Sequence, residues 1–188
     1  DSVAREQRHL DHLAEQRVQG VLITPVDDDG QRIDQLVRRG IPVVLVDRGA
    51  TRRGRCSVAV DDVEGGRLVG RHLVEQGHRR IAFVGGPLTI PQVADRHRGL
   101  AEELARAGAV LEVVETDGLT IAAGRAANDA LQSSPASRRP TAACCANDLL
   151  ALGLLQGLVS AGVRVPQDVA LVGYDDIGFA GAAAGPLP

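Results

Sequence analysis

Four pairs of polar residues each follow a short, mostly apolar run: Asp47-Arg48, Asp61-Asp62, Asn147-Asp148 and, after Gly173-Tyr174, Asp175-Asp176. Arg96 lies just beyond a fifth run and its Gly85-Gly86-Pro87 turn. A carboxylate accepts hydrogen bonds from hydroxyls, a guanidinium donates in a fixed fork, and an amide does both. Gathered in one place, these groups suit a polyhydroxylated small molecule. Left dry and unpaired they would be costly, so a filled site is favoured over an empty closed one. Plainer roles compete at single positions. Asp148 is expected to cap the helix that follows it, and Asp61 or Asp62 to cap another. Asp176 reads as a turn residue, and Asp47-Arg48 reads as a local ion pair or part of a cleft. Its place directly after a fully apolar run favours the cleft.

The runs that carry these pairs alternate with amphipathic helices. The expected order is a helix from Val3 to Gln16, a strand Val21–Ile23, a turn at Asp27–Gly30 and a helix ending at Gly40. Strands Val43–Val46 and Ser57–Val60 follow, then a long helix Val63–Glu75 closed by Gly77. Next come a strand Ile81–Val84, a helix around Arg98–Arg106, a β-rich stretch Val110–Glu115 and a helix Ile121–Leu131. The last elements are a strand Ala142–Ala146, a helix Asp148–Ser160 and a strand Val169–Val172, before a Gly/Ala/Pro-rich tail from Gly178 to Pro188. Strands apolar on both faces, separated by helices, define an α/β chain with parallel sheets covered on both sides. Such sheets bind ligands beyond the carboxyl ends of their strands, which is where the polar pairs fall.

Composition narrows the classes of function. The formal net charge is -3 and the pI about 6.0, against a domain that grips nucleic acid by itself. Every basic residue is Arg, and the densest group, Arg52, Arg53 and Arg55, reads as a solvated loop. The chain holds no Met and opens on Asp1, as expected of a piece of a longer product. Cys56, Cys144 and Cys145 have no metal-ligand spacing. Cys144 and Cys145 alternate across a strand and are expected to be buried and reduced, which suits a cytoplasmic protein. No cofactor is expected, and no apolar run is long enough to span a membrane. Catalysis is not expected either. There is no nucleophile elbow and no glycine-rich phosphate fingerprint, and His9, His12, His72, His78 and His97 fall on polar helix surfaces or turns.

The longest continuous signature, VAVDDVEGGRLVGRHLVEQGHRRIAFVGGP (Val58–Pro87), resembles the lactose/galactose-repressor (LacI/GalR) family of transcription regulators. So do VQGVLITP (Val18–Pro25), IPVVLVDR (Ile41–Arg48), RHRGL (Arg96–Leu100), the run Arg139–Ile177 with CANDLLALG and DVALVGYDD, and GPLP (Gly185–Pro188). The resemblance implies a periplasmic-binding-protein-like fold of type I: two doubly wound parallel-sheet lobes with an effector in their cleft. Residues 1–60 would be a truncated N-terminal lobe and 61–188 the C-terminal lobe, without the helix-turn-helix headpiece that reads operator DNA. Ligand contacts are implied for Asp47, Arg48, Arg96, Asn147 and Asp175. Where the family usually has an aromatic residue before the helix at Ile121, this chain offers Leu119. The expected protein is thus a repressor's sensor for a sugar or sugar derivative, working as a homodimer. The alternative is an extracytoplasmic sugar-binding protein of a transporter, and a sugar-modifying enzyme is the third reading.

Overall fold

The computed structural model describes residues 2–26, 30–49 and 55–178. The expected turn residues Asp27–Asp29, Arg52 and Arg53 of the basic cluster, and the tail after Gly178, including GPLP, lie outside the described residues. By contact the chain divides into two compact units, Asp1–Val60 and Asp61–Pro188.

The first unit runs α1 (Val3–Glu15), β1 (Val21–Ile23), α2 (Gln31–Arg38), β2 (Val43–Val46) and β3 (Cys56–Val58). Ser2 caps α1 by accepting from the Arg5 N–H. Its strands form a parallel sheet in the order β1-β2-β3, with Val21 opposite Val43 and Leu45 opposite Ser57. Leu10, Ile33, Leu36, Ile41 and Leu45 make its core. The third strand starts one residue earlier than the sequence suggests and stops at Val58, exposed throughout. Arg55 is no solvated loop residue. Its guanidinium is tied to Asp34 at 2.5 Å and to the Gly30 carbonyl at 3.0 Å, with the side chain only 10% exposed. A basic run without periodicity looks the same in sequence whether it is solvated or folded back onto a carboxylate 21 residues away.

The second unit continues with α3 (Asp62–Glu75), β4 (Arg80–Val84), α4 (Pro91–Arg106), β5 (Val110–Val114), α5 (Ile121–Ser133), β6 (Ala142–Cys145), α6 (Asp148–Ser160) and β7 (Ala170–Val172). Helix α4 begins well before Arg98 because Pro91, with its preset backbone angle, starts it. The four strands are parallel in the order β5-β4-β6-β7. From β4 the chain passes through α4 to β5, and from β6 through α6 to β7, so its direction reverses between β4 and β6. With right-handed crossovers this puts α3 and α4 on one face and α5 and α6 on the other, and each pair packs together. Ile81, Ala82, Phe83, Val84, Ala142 and Ala143 have no exposed surface, as expected of central strands covered on both faces.

Both helix pairs cross backbone to backbone. A Cβ on Gly66 would collide with the Arg96 carbonyl and one on Gly99 with the Val63 carbonyl, which joins α3 to α4. Gly124 meets the Leu150 carbonyl and Gly153 the Ile121 carbonyl in the same way, joining α5 to α6. Gly99→Ala and Gly124→Ala are each expected to lower stability in urea unfolding by about 1–3 kcal/mol, the usual cost of forcing atoms into packed space. Gly118→Ala, with nothing within 4 Å, should stay within about 0.5 kcal/mol.

The cysteines in β6 behave as packing residues. Cys144 and Cys145 are buried, and burial pushes the Cys144 thiol up to about 12 and the Cys145 thiol well above its usual range. Cys56 in β3 is exposed. A disulfide-exchange reagent at mildly alkaline pH should therefore titrate one fast thiol in the folded chain and all three cysteines after denaturation.

Candidate functional site

At the carboxyl ends of β6 and β7, groups from the start of α3, the end of β6 and the turn after β7 gather around Arg96. Arg96 is a helical residue of α4 with 9% of its surface exposed. Its Nε donates to Asp62 Oδ1 at 2.8 Å and its Nη1 to the Ala146 carbonyl at 2.6 Å. Asp175 Oδ1 lies 3.5 Å from the same Nη1. The guanidinium carbon sits 3.6 Å from the centroid of the Tyr174 ring. Among the described residues, Nη2 has no protein acceptor, so its pair of N–H donors is left uncommitted. One edge of a strong, permanently charged donor is locked and another is open.

Each partner is fixed by local geometry. Asp61 caps α3 by accepting from the Glu64 N–H at 2.9 Å, which leaves Asp62, 7% exposed, for Arg96. On the far side, the cap of α6 is Asn147 rather than Asp148. Asn147 Oδ1 accepts from the Leu150 N–H at 3.0 Å, and its Nδ2 points at the Leu119 carbonyl at 3.5 Å. Asp148, only 3% exposed, is the first helical residue and accepts from the Ile177 N–H at 2.9 Å. Its own N–H donates to the Tyr174 carbonyl at 2.9 Å. The segment after β7 is thereby tied at two points to the start of α6. Gly173 is required there, since a Cβ would strike the Asp148 carboxylate.

The turn holding Asp175 adopts a left-handed backbone, with φ of 103° at Asp175 and 53° at Asp176. Asp and Asn tolerate that region better than other side-chain-bearing residues. Burial raises the Tyr174 hydroxyl above the ordinary phenol range; the Arg96 cation opposes this, and Asp62 and Asp175 add to it.

Of the residues expected to bind ligand, Arg96 and Asp175 meet directly, while Asn147 and Leu119 are neighbours. Leu119 packs half-buried against the core. Asp47 and Arg48 follow β2 in the first unit. Asp47 has φ of 58° and its N–H donates to the Val58 carbonyl at 2.8 Å, while Arg48 Nη1 donates to the Pro25 carbonyl at 2.9 Å. Two participants were not assigned to the site from sequence. For Asp62, a member of one of the strand-end pairs, capping of the long helix is the competing expectation, and Tyr174 carries no expected role. His97 is also no simple surface residue: its ring lies edge-on to Phe83 with centroids 5.2 Å apart, and burial lowers its pKa.

With this arrangement in view, the comparisons with known proteins are direct. A profile of the periplasmic binding protein-like domain matches residues 71–187. The HTH-type transcriptional repressor PurR of Erwinia tasmaniensis is 34% identical over 182 residues, covering 94% of this chain and 52% of the repressor. The chain thus spans about half the length of the curated relatives it matches. A LacI transcriptional regulator from a Rhodococcus species is 33% identical, with a TM-score of 0.84 over 94% of this chain and 65% of that one. A LacI family regulator from Enterococcus faecium, solved with bound ribose, is 28% identical, with a TM-score of 0.87 over 96% of this chain and 67% of that one. The chain belongs to the periplasmic-binding-protein-like domain family, and a transcriptional regulator of the LacI family from Burkholderia phymatum, 30% identical with a TM-score of 0.87 over 100% of this chain and 69% of that one, puts it in the LacI/GalR family.

The left-handed turn yields a test of how it is held. Asp176→Gly should keep the unfolding free energy within about 0.5 kcal/mol of wild type, since glycine adopts that backbone freely at some entropic cost. Asp176→Val should lose about 1–2 kcal/mol, because a β-branched side chain is strained there.

Proposed function

We propose that this chain senses a small, sugar-like effector for a LacI-type repressor, with ligand contacts from Asp47, Arg48, Arg96, Leu119, Asn147 and Asp175. The observation that carries the reading is Arg96: a buried guanidinium whose Nη2 is left open beside Asp175 at the strand ends. An oxygen-rich ligand supplies the acceptors that this edge lacks and the hydroxyl donors that Asp175 can accept. Ribose bound to the similar Enterococcus faecium regulator agrees with that chemistry.

Operator DNA would be read by a separate headpiece, with effector binding biasing how a homodimer presents it. That the curated relatives are repressors favours this role over solute capture for a transporter. We read the chain as non-catalytic, because Asp62 and Asp148 are each committed to a structural donor rather than poised as an acid or base. The cytoplasmic assignment rests on the same relatives and on the three free cysteines. Among the described residues, no helix is long and apolar enough to cross a membrane.

The test is calorimetry on the full-length regulator against sugars, sugar phosphates and nucleobases, followed by operator titration with each compound that binds. Arg48→Ala and Asp175→Ala should each weaken effector binding by about 2–4 kcal/mol, roughly 30- to 700-fold. Unchanged binding in both variants would reject the site, and operator affinity indifferent to every bound compound would reject the sensing role.

A further inference from the structure

Tyr174 is the chain's one tyrosine, and there is no tryptophan. Its ring lies flat beneath Arg96, with the guanidinium carbon 3.6 Å from the centroid. The hydroxyl end of the ring presses on α3 at Gly65, where an added Cβ would collide with the hydroxyl and come within 2.9 Å of two ring carbons. The next residue, Gly66, seats the backbone of Arg96 itself. Consecutive glycines of α3 therefore receive the arginine's main chain and the tyrosine on which its side chain rests. The ring's backbone is anchored in turn, since the Tyr174 carbonyl accepts from the Asp148 N–H at 2.9 Å.

We propose that Tyr174 is the positioning residue for Arg96: packed by the guanidinium over its face and by Gly65 at its hydroxyl end, its ring fixes the plane of the fork. Asp62 and the Ala146 carbonyl then hold the locked edge, so Nη2 is the donor presented to effector. The Asp62 and Ala146 bonds restrain Nε and Nη1 within the guanidinium plane, but neither stops that plane from tilting. A flat aromatic surface at van der Waals distance does. The hydroxyl faces the Asp62 carboxylate as well as Gly65, but the contact to the cation itself is made through the π face, so the ring contributes more. The proposal rests on the reading of these strand ends as the effector site.

The test has two arms, both on the full-length protein. In the ligand-free protein, side-chain nitrogen NMR of Arg96 measures guanidinium rotation and Hε exchange with water. Tyr174→Phe should leave both near wild type, while Tyr174→Leu should speed them about tenfold or more. Gly65→Ala, which pushes on the ring without removing it, should shift them the same way and covers the case in which the leucine variant does not fold. In the second arm, ribose is titrated by calorimetry. The phenylalanine variant should bind within about twofold of wild type, and the leucine and Gly65→Ala variants at least about tenfold more weakly.

Arg96 motion unchanged in Tyr174→Leu, or in Gly65→Ala should the leucine variant not fold, would overturn the positioning role. So would a phenylalanine variant as mobile as the leucine one. Absence of ribose binding in wild type would instead count against ribose-like ligands at this site, while the NMR arm still decides the role of Tyr174.

Discussion

Arg96 carries a charge that cannot be shed, and its side chain is nine-tenths removed from water. Leaving such a group uncompensated would cost several kcal/mol, so the surrounding chain must supply acceptors at defined places. Asp62 arrives from the first turn of α3, the Ala146 carbonyl from the end of β6, and Asp175 with Tyr174 from the turn after β7. These segments are distant in sequence, and only the order β5-β4-β6-β7 brings their ends alongside one another. The reversal of chain direction between β4 and β6 opens the space in which the guanidinium sits. Fold and site are therefore one constraint viewed from two ends. The sheet converges the ligating groups, and the charge they surround requires the converging segments to close around it.

Much of this was legible in the residues. Continuous apolar runs such as Val43–Val46 and Ala142–Ala146 read as covered strands; β6 is fully buried and β2 partly so, and α6 falls on the span its flanking residues suggest. The polar groups after each run located the strand ends, and the family signature agreed with them. What was not legible depends on contacts across the chain. Whether Asn147 or Asp148 caps α6 is decided by the Ile177 N–H, 29 residues beyond Asp148, which takes one carboxylate and leaves the amide to cap. Asp62 reads as a helix-start residue in any sequence window, and only its partner 34 residues away shows its other use. Arg55 fails for the same reason: its local surroundings are polar, but Asp34 and the Gly30 carbonyl fold it inward. Helix starts marked by proline were readable in principle, and Pro91 was the overlooked signal for α4.

The substitution of Leu119 for an aromatic residue gains meaning from its surroundings. Leu119 packs against the core and its carbonyl faces the Asn147 amide, so it steadies the start of α6 and presents no ring face there. The aromatic surface near the strand ends comes instead from Tyr174, and that ring is already occupied by Arg96. On the proposed reading, recognition in the second unit leans on directional polar groups more than on stacking. Such a site discriminates by the positions of oxygen atoms, since a missing ligand hydroxyl leaves a protein group unpaired.

The glycine crossings carry a mechanical consequence. At the crossing points of α3 with α4 and of α5 with α6, no side chain separates the backbones, so neither crossing can slide by changing rotamers. Shear between packed helices normally draws on that side-chain play. Each pair must then move as a single strut. Because Arg96 belongs to α4 and its brace Asp62 to α3, a ligand pulling on the guanidinium loads both helices of one strut together. The other strut starts at Asn147 and Asp148, which hold the turn of Tyr174 and Asp175. A force applied at the strand ends is thus delivered along two stiff levers, one on either face of the sheet, with little of it dissipated in the packing between.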